Sequence, residues 1–211
     1  MLHDRDIREP LFDFLEERLG KIRIIEEKTM GRSRADIVMV LPEALAGIEI
    51  KSDADSYARL KRQVADYDRY FDFNYVVVGS THAAHIREHV PDYWGVISVE
   101  ELSDESGALD FYVMREASRN PHMEPDKKIR LLWRPELAHI QEKNGMHRYA
   151  SASKDFVRRK IVECVPPEVL WRQFSEELFE RDYTTVAQTL EEYWRKHSRA
   201  VQTGKGRRRR R

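Results

Sequence analysis

The chain has 211 residues, 41% hydrophobic and 35% charged, a balance that fits one or two globular domains with room for a buried core. No stretch approaches the roughly 20 apolar residues of a membrane helix, the charged opening MLHDRDIREP has the form of neither a secretory signal nor a transit peptide, and the single Cys164 rules out an internal disulfide. The expectation is a protein of a reducing cytoplasm without membrane contact, and its formal net charge of zero, from 37 basic and 37 acidic residues, hides regions of unlike sign.

In chain order, the apolar stripe Ile7, Leu11, Leu15 and Leu19 predicts an amphipathic helix over Ile7–Leu19, with Glu16 on its flank. A strand over Ile22–Glu26 follows. Arg34–Leu41 and Leu45–Lys51 are short, rich in β-branched residues and separated by Pro42-Glu43-Ala44, which predicts two antiparallel strands joined by a tight turn. With the turn centred between Glu43 and Ala44, Asp36 lies opposite Lys51 and Val38 opposite Glu49. Strand alternation then puts Asp36, Glu49 and Lys51 on one face, leaving Ile37, Met39, Leu41, Ile48 and Ile50 to bury against helices on the other. Charge inside apolar strands is costly unless it is paired or bound to metal. A Glu-x-Lys pair beside an Asp can be an ordinary ion-pair cluster; two carboxylates and a lysine on one sheet face are also what metal-dependent phosphodiester hydrolysis requires.

Tyr57, Leu60, Val64, Tyr67 and Phe71 fall at helical spacing, with Ser52 or Asp53 as candidate N-cap, and Gln63 sits on or beside the inward face although polar. Tyr75-Val76-Val77-Val78-Gly79 reads as a strand buried on both faces. This order of elements, with Asp36, Glu49-x-Lys51 and Gln63-x-x-x-Tyr67 in place, resembles the PD-(D/E)xK, restriction-endonuclease-like nuclease superfamily, in particular small bacterial and phage proteins with an E-I-K-S-D-x-D segment followed by R-L-x-x-Q. The resemblance covers roughly residues 5 to 100, and Ala35 stands where the superfamily's proline would precede the acid. It implies an α/β fold, a restriction-endonuclease-like mixed central sheet flanked by helices. It also implies that Asp36 and Glu49 ligate Mg2+ (or Mn2+) with the carbonyl of Ile50, that Lys51 orients the attacking water, and that Gln63 and Tyr67 support the site. Glu16 is the candidate for a further acid from the first helix. The chemistry agrees independently: Mg2+ takes one or two carboxylates and keeps its waters, lowers the pKa of one of them and neutralises charge in the transition state.

His85-Ile86-Arg87-Glu88-His89 matches the H-x-x-E-H pattern of inverted zinc peptidases, with two histidines one helical turn apart. The plainer reading is a solvated crossover helix that includes His82. Strand-like Trp94–Glu100 and Phe111–Met114 lead to a linker at Ser118-Arg119-Asn120-Pro121. Helices are then predicted over Lys128–Lys143, Lys154–Cys164, Glu168–Arg181 and Val186–His197. The pair around Pro166-Pro167 could form a helix-turn-helix whose Arg158, Arg159 and Lys160 touch phosphates; simple packing is the alternative, with Trp133, Trp171 and Trp194 in the core. Cys164 reads as a small buried apolar side chain.

Three parts result: a nuclease-like domain over 1–120, a helical module over 121–200 and a disordered basic tail over 201–211. Residues 1–120 hold 16 basic against 24 acidic residues, and residues 121–204 hold 15 against 13. The tail, with Lys205, Arg207, Arg208, Arg209, Arg210 and Arg211, adds six positive charges. An acidic domain binds polyanions awkwardly, so the tail is the expected phosphate-binding element. The expected function is a metal-dependent nuclease, an endonuclease acting on nucleic acid with DNA ahead of RNA, in an oligomeric state that the sequence leaves open, a homodimer being one option. The alternatives are a catalytically silent binding or assembly module on the same fold and, more distantly, a zinc peptidase through His85, Glu88 and His89.

Overall fold

The computed structural model describes residues 2–53, 55–102 and 107–181. The predicted helix Val186–His197, Trp194 and the basic tail lie outside the described residues. The chain divides into two compact units, Met1–Phe179 and Glu180–Arg211; the first carries everything described below.

Its element order is α1 (Asp4–Leu19), β1 (Arg23–Met30), β2 (Ser33–Val40), β3 (Leu45–Lys51), α2 (Leu60–Tyr70), β4 (Phe73–Gly79), the single turn α3 (Ser80–Ala83), β5 (Gly95–Glu101), β6 (Leu109–Arg115), the single turn α4 (Pro125–Lys128), α5 (Arg134–Lys143), α6 (Lys154–Cys164) and α7 (Pro167–Glu180). The strands form one six-stranded mixed sheet in sequence order: β3, β4 and β5 are parallel, and the outer pairs antiparallel. The α/β, mixed-sheet architecture expected from the sequence is the one observed. Among the described residues no helix is long and apolar enough to cross a membrane.

The sheet separates two cores, as the alternation in β2 and β3 requires. Ile37, Met39, Ile48 and Ile50 pack under α1 through its stripe Ile7, Leu11 and Leu15. On the other face Val38, Val40, Val76, Val78 and Val96 share a core with Leu60 and Tyr67 of α2 and with Ile129, Leu137, Ile161 and Phe174 from the later helices. The boundary expected near residue 120 therefore falls inside the first unit. Asn120, expected in a loose linker, is buried because its amide donates to the carbonyls of Asp68 and Phe71, both at 2.7 Å. Further along, the Lys128 ammonium is fully buried, 2.6 Å from Asp72 Oδ2 and 4.1 Å from the Trp171 ring centre.

Several local expectations are corrected. The β2–β3 register pairs Val40 with Leu45, Val38 with Gly47 and Ile37 with Ile48, a slip of two residues from that predicted. A turn spanning Leu41 to Ala44, closed by the Leu41 N–H on the Ala44 carbonyl, accounts for it. An even slip conserves the faces. Neither Ser52 nor Asp53 caps α2, which is entered through a 3-10 turn at Tyr57–Arg59; Asp53 instead accepts from Thr81 Oγ1 at 2.7 Å. The single helix predicted over Lys128–Lys143 is broken at Trp133, which is extended because Pro135 starts the next helix at its first turn. Cys164 is exposed rather than buried: α6 ends on it, and extended Val165 takes the inward position after Val157 and Ile161.

Candidate active site

Asp36 stands outside the regular ladders on both sides. Toward β1 the register runs from Glu26–Ile37 to Lys28–Ala35 and omits Glu27, which adopts φ 51°, an uncommon left-handed conformation for a non-glycine residue. Toward β3 the ladder stops at Ile37–Ile48, while β3 continues along β4 as far as Lys51–Val78. Side chains take over where the backbone pairing fails. Asp36 Oδ2 accepts the Ile50 N–H at 2.9 Å, the Tyr67 hydroxyl accepts the Asp36 N–H at 3.3 Å, and the Asp36 carbonyl accepts from Arg8 at 3.5 Å. The separation of β2 from β3 opens a cleft of about 290 Å3.

Glu49 and Lys51 project into this opening and are nearly inaccessible, at 1% and 3% exposure. Lys51 Nζ donates to Glu49 Oε1 at 2.6 Å, Gln63 Nε2 to the same oxygen at 2.5 Å, and the Tyr67 hydroxyl to Oε2 at 2.8 Å. One helical turn of α2 thus supplies two of the three donors that hold the carboxylate. Their approach depends on Gly47, since a Cβ there would stand 2.7 Å from Tyr67 Cδ1 and 2.2 Å from Phe71 Cδ2.

Burial, and then the negative charge of Glu49, push the Asp36 carboxyl up to about 7, while the Ile50 N–H and Lys51 pull the other way. The same two causes, burial first, hold the Tyr67 phenol well above its ordinary range and keep it a proton donor. Two residues of the cleft lining each hold a buried oxygen without a hydrogen-bond partner: Gln63 Oε1, and Asp4 Oδ1 at the start of α1. Orphaned oxygens beside two carboxylates, one of them reluctant to ionise, form a set of oxygen donors of the kind a hard cation takes.

Of the residues expected from the sequence, Asp36, Glu49, Ile50, Lys51 and Gln63 line one cleft. Glu16 does not: it is exposed on α1, and the acid that α1 brings to the opening is Asp4, three turns earlier. The basic tail, Lys205 and Arg207 to Arg211, lies outside the described residues. Sequence reasoning missed four arginines, Arg32, Arg34, Arg59 and Arg62, which turn the lining into five cations against four carboxylates despite the acidic surroundings. The signals were present: Arg34 shares the strand face of Asp36, and Arg59 and Arg62 sit four and one residues before Gln63.

The zinc-peptidase geometry does not form. Residues 80–89 make one helical turn and a separate 3-10 turn at Ile86–Glu88, so His85 and His89 never share a helix face. His85 is exposed beside Glu88 at 3.3 Å, and His89 stacks on Tyr57 with ring centres 4.0 Å apart. Among the described residues no three His, Cys, Asp or Glu side chains are grouped to hold a metal ion. In the later helices, Arg158 is engaged by Asp155 and by the Arg130 carbonyl, and Lys160 by Glu163.

A family model described as Bacteriophage P4 protein cII matches residues 2–204. Among solved structures, the chain is similar to one titled "The structure of Pyrococcus Furiosus SfsA in complex with Ca2+", with 16% identity over 51% of this chain and a TM-score of 0.34, a likeness that carries no argument. The match spans 60% of that protein's length. No curated protein matches.

Proposed function

We propose that this chain, which belongs to the bacteriophage P4 protein cII family, hydrolyses phosphodiester bonds of nucleic acid with a divalent cation at Asp36 and Glu49. The observation that carries the reading is the convergence of Asp36, Glu49 and Lys51 where β2 and β3 part, in a lining that also includes Gln63 and Asp4, each with a buried unpartnered oxygen. The residues fit a hard cation of the Mg2+ or Mn2+ type: both carboxylates and the Ile50 carbonyl are oxygen ligands, and Mg2+ needs few from the protein. Such an ion, when bound, lowers the pKa of a ligated water and offsets charge gathering on the phosphorus oxygens.

The chain's own groups do the rest. Gln63 and Tyr67 fix the Glu49 carboxylate, so no rotamer entropy is lost when it is used. Lys51, already held beside Glu49, keeps a donor aimed into the cleft for the attacking water or a non-bridging oxygen. Asp36 is held by the Ile50 N–H, and burial first and the Glu49 charge second raise its pKa; a cation held by the two carboxylates would favour its ionised form. The resemblance to PD-(D/E)xK nucleases supports the same assignment.

The test is incubation with labelled single- and double-stranded DNA and RNA, with Mg2+, Mn2+ or EDTA, DNA being the substrate expected first. Cleavage should need the metal, and Asp36→Asn, Glu49→Ala and Lys51→Ala should each lower it by about a hundredfold or more. Cleavage at wild-type rates by all three variants would refute the assignment. One observation favours a second reading, a binding module without chemistry: three donors already occupy Glu49. Binding without cleavage under every metal condition would select it.

A further inference from the structure

Arg32 and Arg34 stand on the β1–β2 side of the cleft, and Arg59 and Arg62 on the α2 side, with Asp36 and Glu49 between the two walls. All four are exposed, and among the described residues none of Arg32, Arg59 and Arg62 has an acidic partner. Arg34 pairs with Glu27 at 3.2 Å, both more than half exposed, a surface pair of small worth that a phosphate can displace. Like charges on the two walls of one cleft repel, and a bound anion relieves that repulsion.

Among its described residues the lining has no aromatic side chain on which a base could stack, and its one amide, Gln63, donates to Glu49. Planar, fork-shaped guanidiniums without an aromatic platform beside them match phosphate oxygens bidentately.

We infer that the cleft grips a polynucleotide by its phosphates, through Arg32 and Arg34 on one wall and Arg59 and Arg62 on the other, without stacking its bases. Its substrate must therefore extend to phosphates on both sides of the one at Asp36 and Glu49. This rests on the nuclease reading for which phosphate is cut, but the grip itself stands on the arginines. It places phosphate capture at the cleft, where the lining holds five cations against four carboxylates.

The experiment measures binding of the Glu49→Gln protein in EDTA to fluorescent single-stranded oligodeoxynucleotides of about 12 residues, as oligo-dT, oligo-dA and mixed sequence, across a salt series. Wild-type cleavage is followed in parallel. Arg32→Ala with Arg34→Ala, and separately Arg59→Ala with Arg62→Ala, should each flatten the log-log salt dependence by about 1.4, two contacts at about 0.7 each on a single strand. Lysine at the same positions should restore the slope, because ion release follows charge. The three sequences should bind within a few-fold of one another, and a dinucleotide should compete at least a hundredfold more weakly than the 12-mer. Unchanged slopes in both double variants, or competition by polyglutamate equal to that of an oligonucleotide of the same charge, would overturn the inference. Unchanged slopes with wild-type cleavage intact would leave the nuclease reading standing and move capture elsewhere. Flattened slopes with no cleavage in Mg2+ or Mn2+ would keep the grip and sink the nuclease.

Discussion

Replacing Asp36 by asparagine should stabilise the protein, and by an amount that depends on pH. The carboxyl moves from 3.8 in an open chain to about 7 in the fold, so between these values the folded state holds a proton that the unfolded chain has released. Stability therefore falls as pH rises through that window. At 1.36 kcal/mol per pH unit, the full cost above pH 7 is about 4 kcal/mol. The side chain is 19% exposed, so some water reaches it, and a gain of about 2–4 kcal/mol for Asp36→Asn at pH 8 is the expected result. Below about pH 3 the carboxyl is largely neutral in both states, and the two proteins should agree, the amide oxygen of the introduced asparagine inheriting the Ile50 N–H. Urea denaturation of both proteins in EDTA at several pH values reads this directly. Mg2+ at about a hundred times its dissociation constant should then raise the wild type by about 2.7 kcal/mol and leave the variant unmoved. A difference between the two proteins that stays flat from pH 4.5 to 8, or a variant that is the weaker at pH 8, would refute the reasoning.

Gly47→Ala should cost about 1–3 kcal/mol from overpacking against Phe71 and Tyr67, and should lower cleavage more than the stability loss explains, because Tyr67 leaves Glu49; thermal melts beside turnover at a permissive temperature separate the two effects. Lys128→Ala leaves the Asp72 carboxylate, which also accepts the Leu45 N–H at 2.7 Å, with the exposed Arg119 guanidinium 3.8 Å away as its remaining charge partner, and should cost about 3–5 kcal/mol in a denaturant titration; adding Asp72→Asn should return a good part of it.

The faces of β2 and β3 were legible because a period of two survives any even slip of register: the turn was placed wrongly, yet Asp36, Glu49 and Lys51 still meet. Gln63 and Tyr67 were legible because a polar residue on the inward stripe of a helix needs a polar reason. Asp4 was not, since the first helix starts before its apolar stripe does, and the acid that matters sits at its very first turn. The arginines were hidden by averaging charge over a hundred residues, when electrostatics at a site is decided within a few ångströms. Residues 80–89 show the limit of a spacing argument, because the pattern H-x-x-E-H has meaning only on a helix, and that segment lacks the length to sustain one.

The shared core beneath the sheet has a consequence for how the chain comes off the ribosome. All six strands have been made once Arg115 is out, but the layer that covers Val38, Val76 and Val96 is completed by residues as late as Phe174 and Leu178. Until those arrive, the nascent protein carries a finished hydrogen-bonded scaffold with one greasy side unprotected, the state in which sheets find wrong partners. A gene trimmed at codon 120, tidy as it looks on paper, would freeze that state, because the residues that complete the layer come from the helices after it.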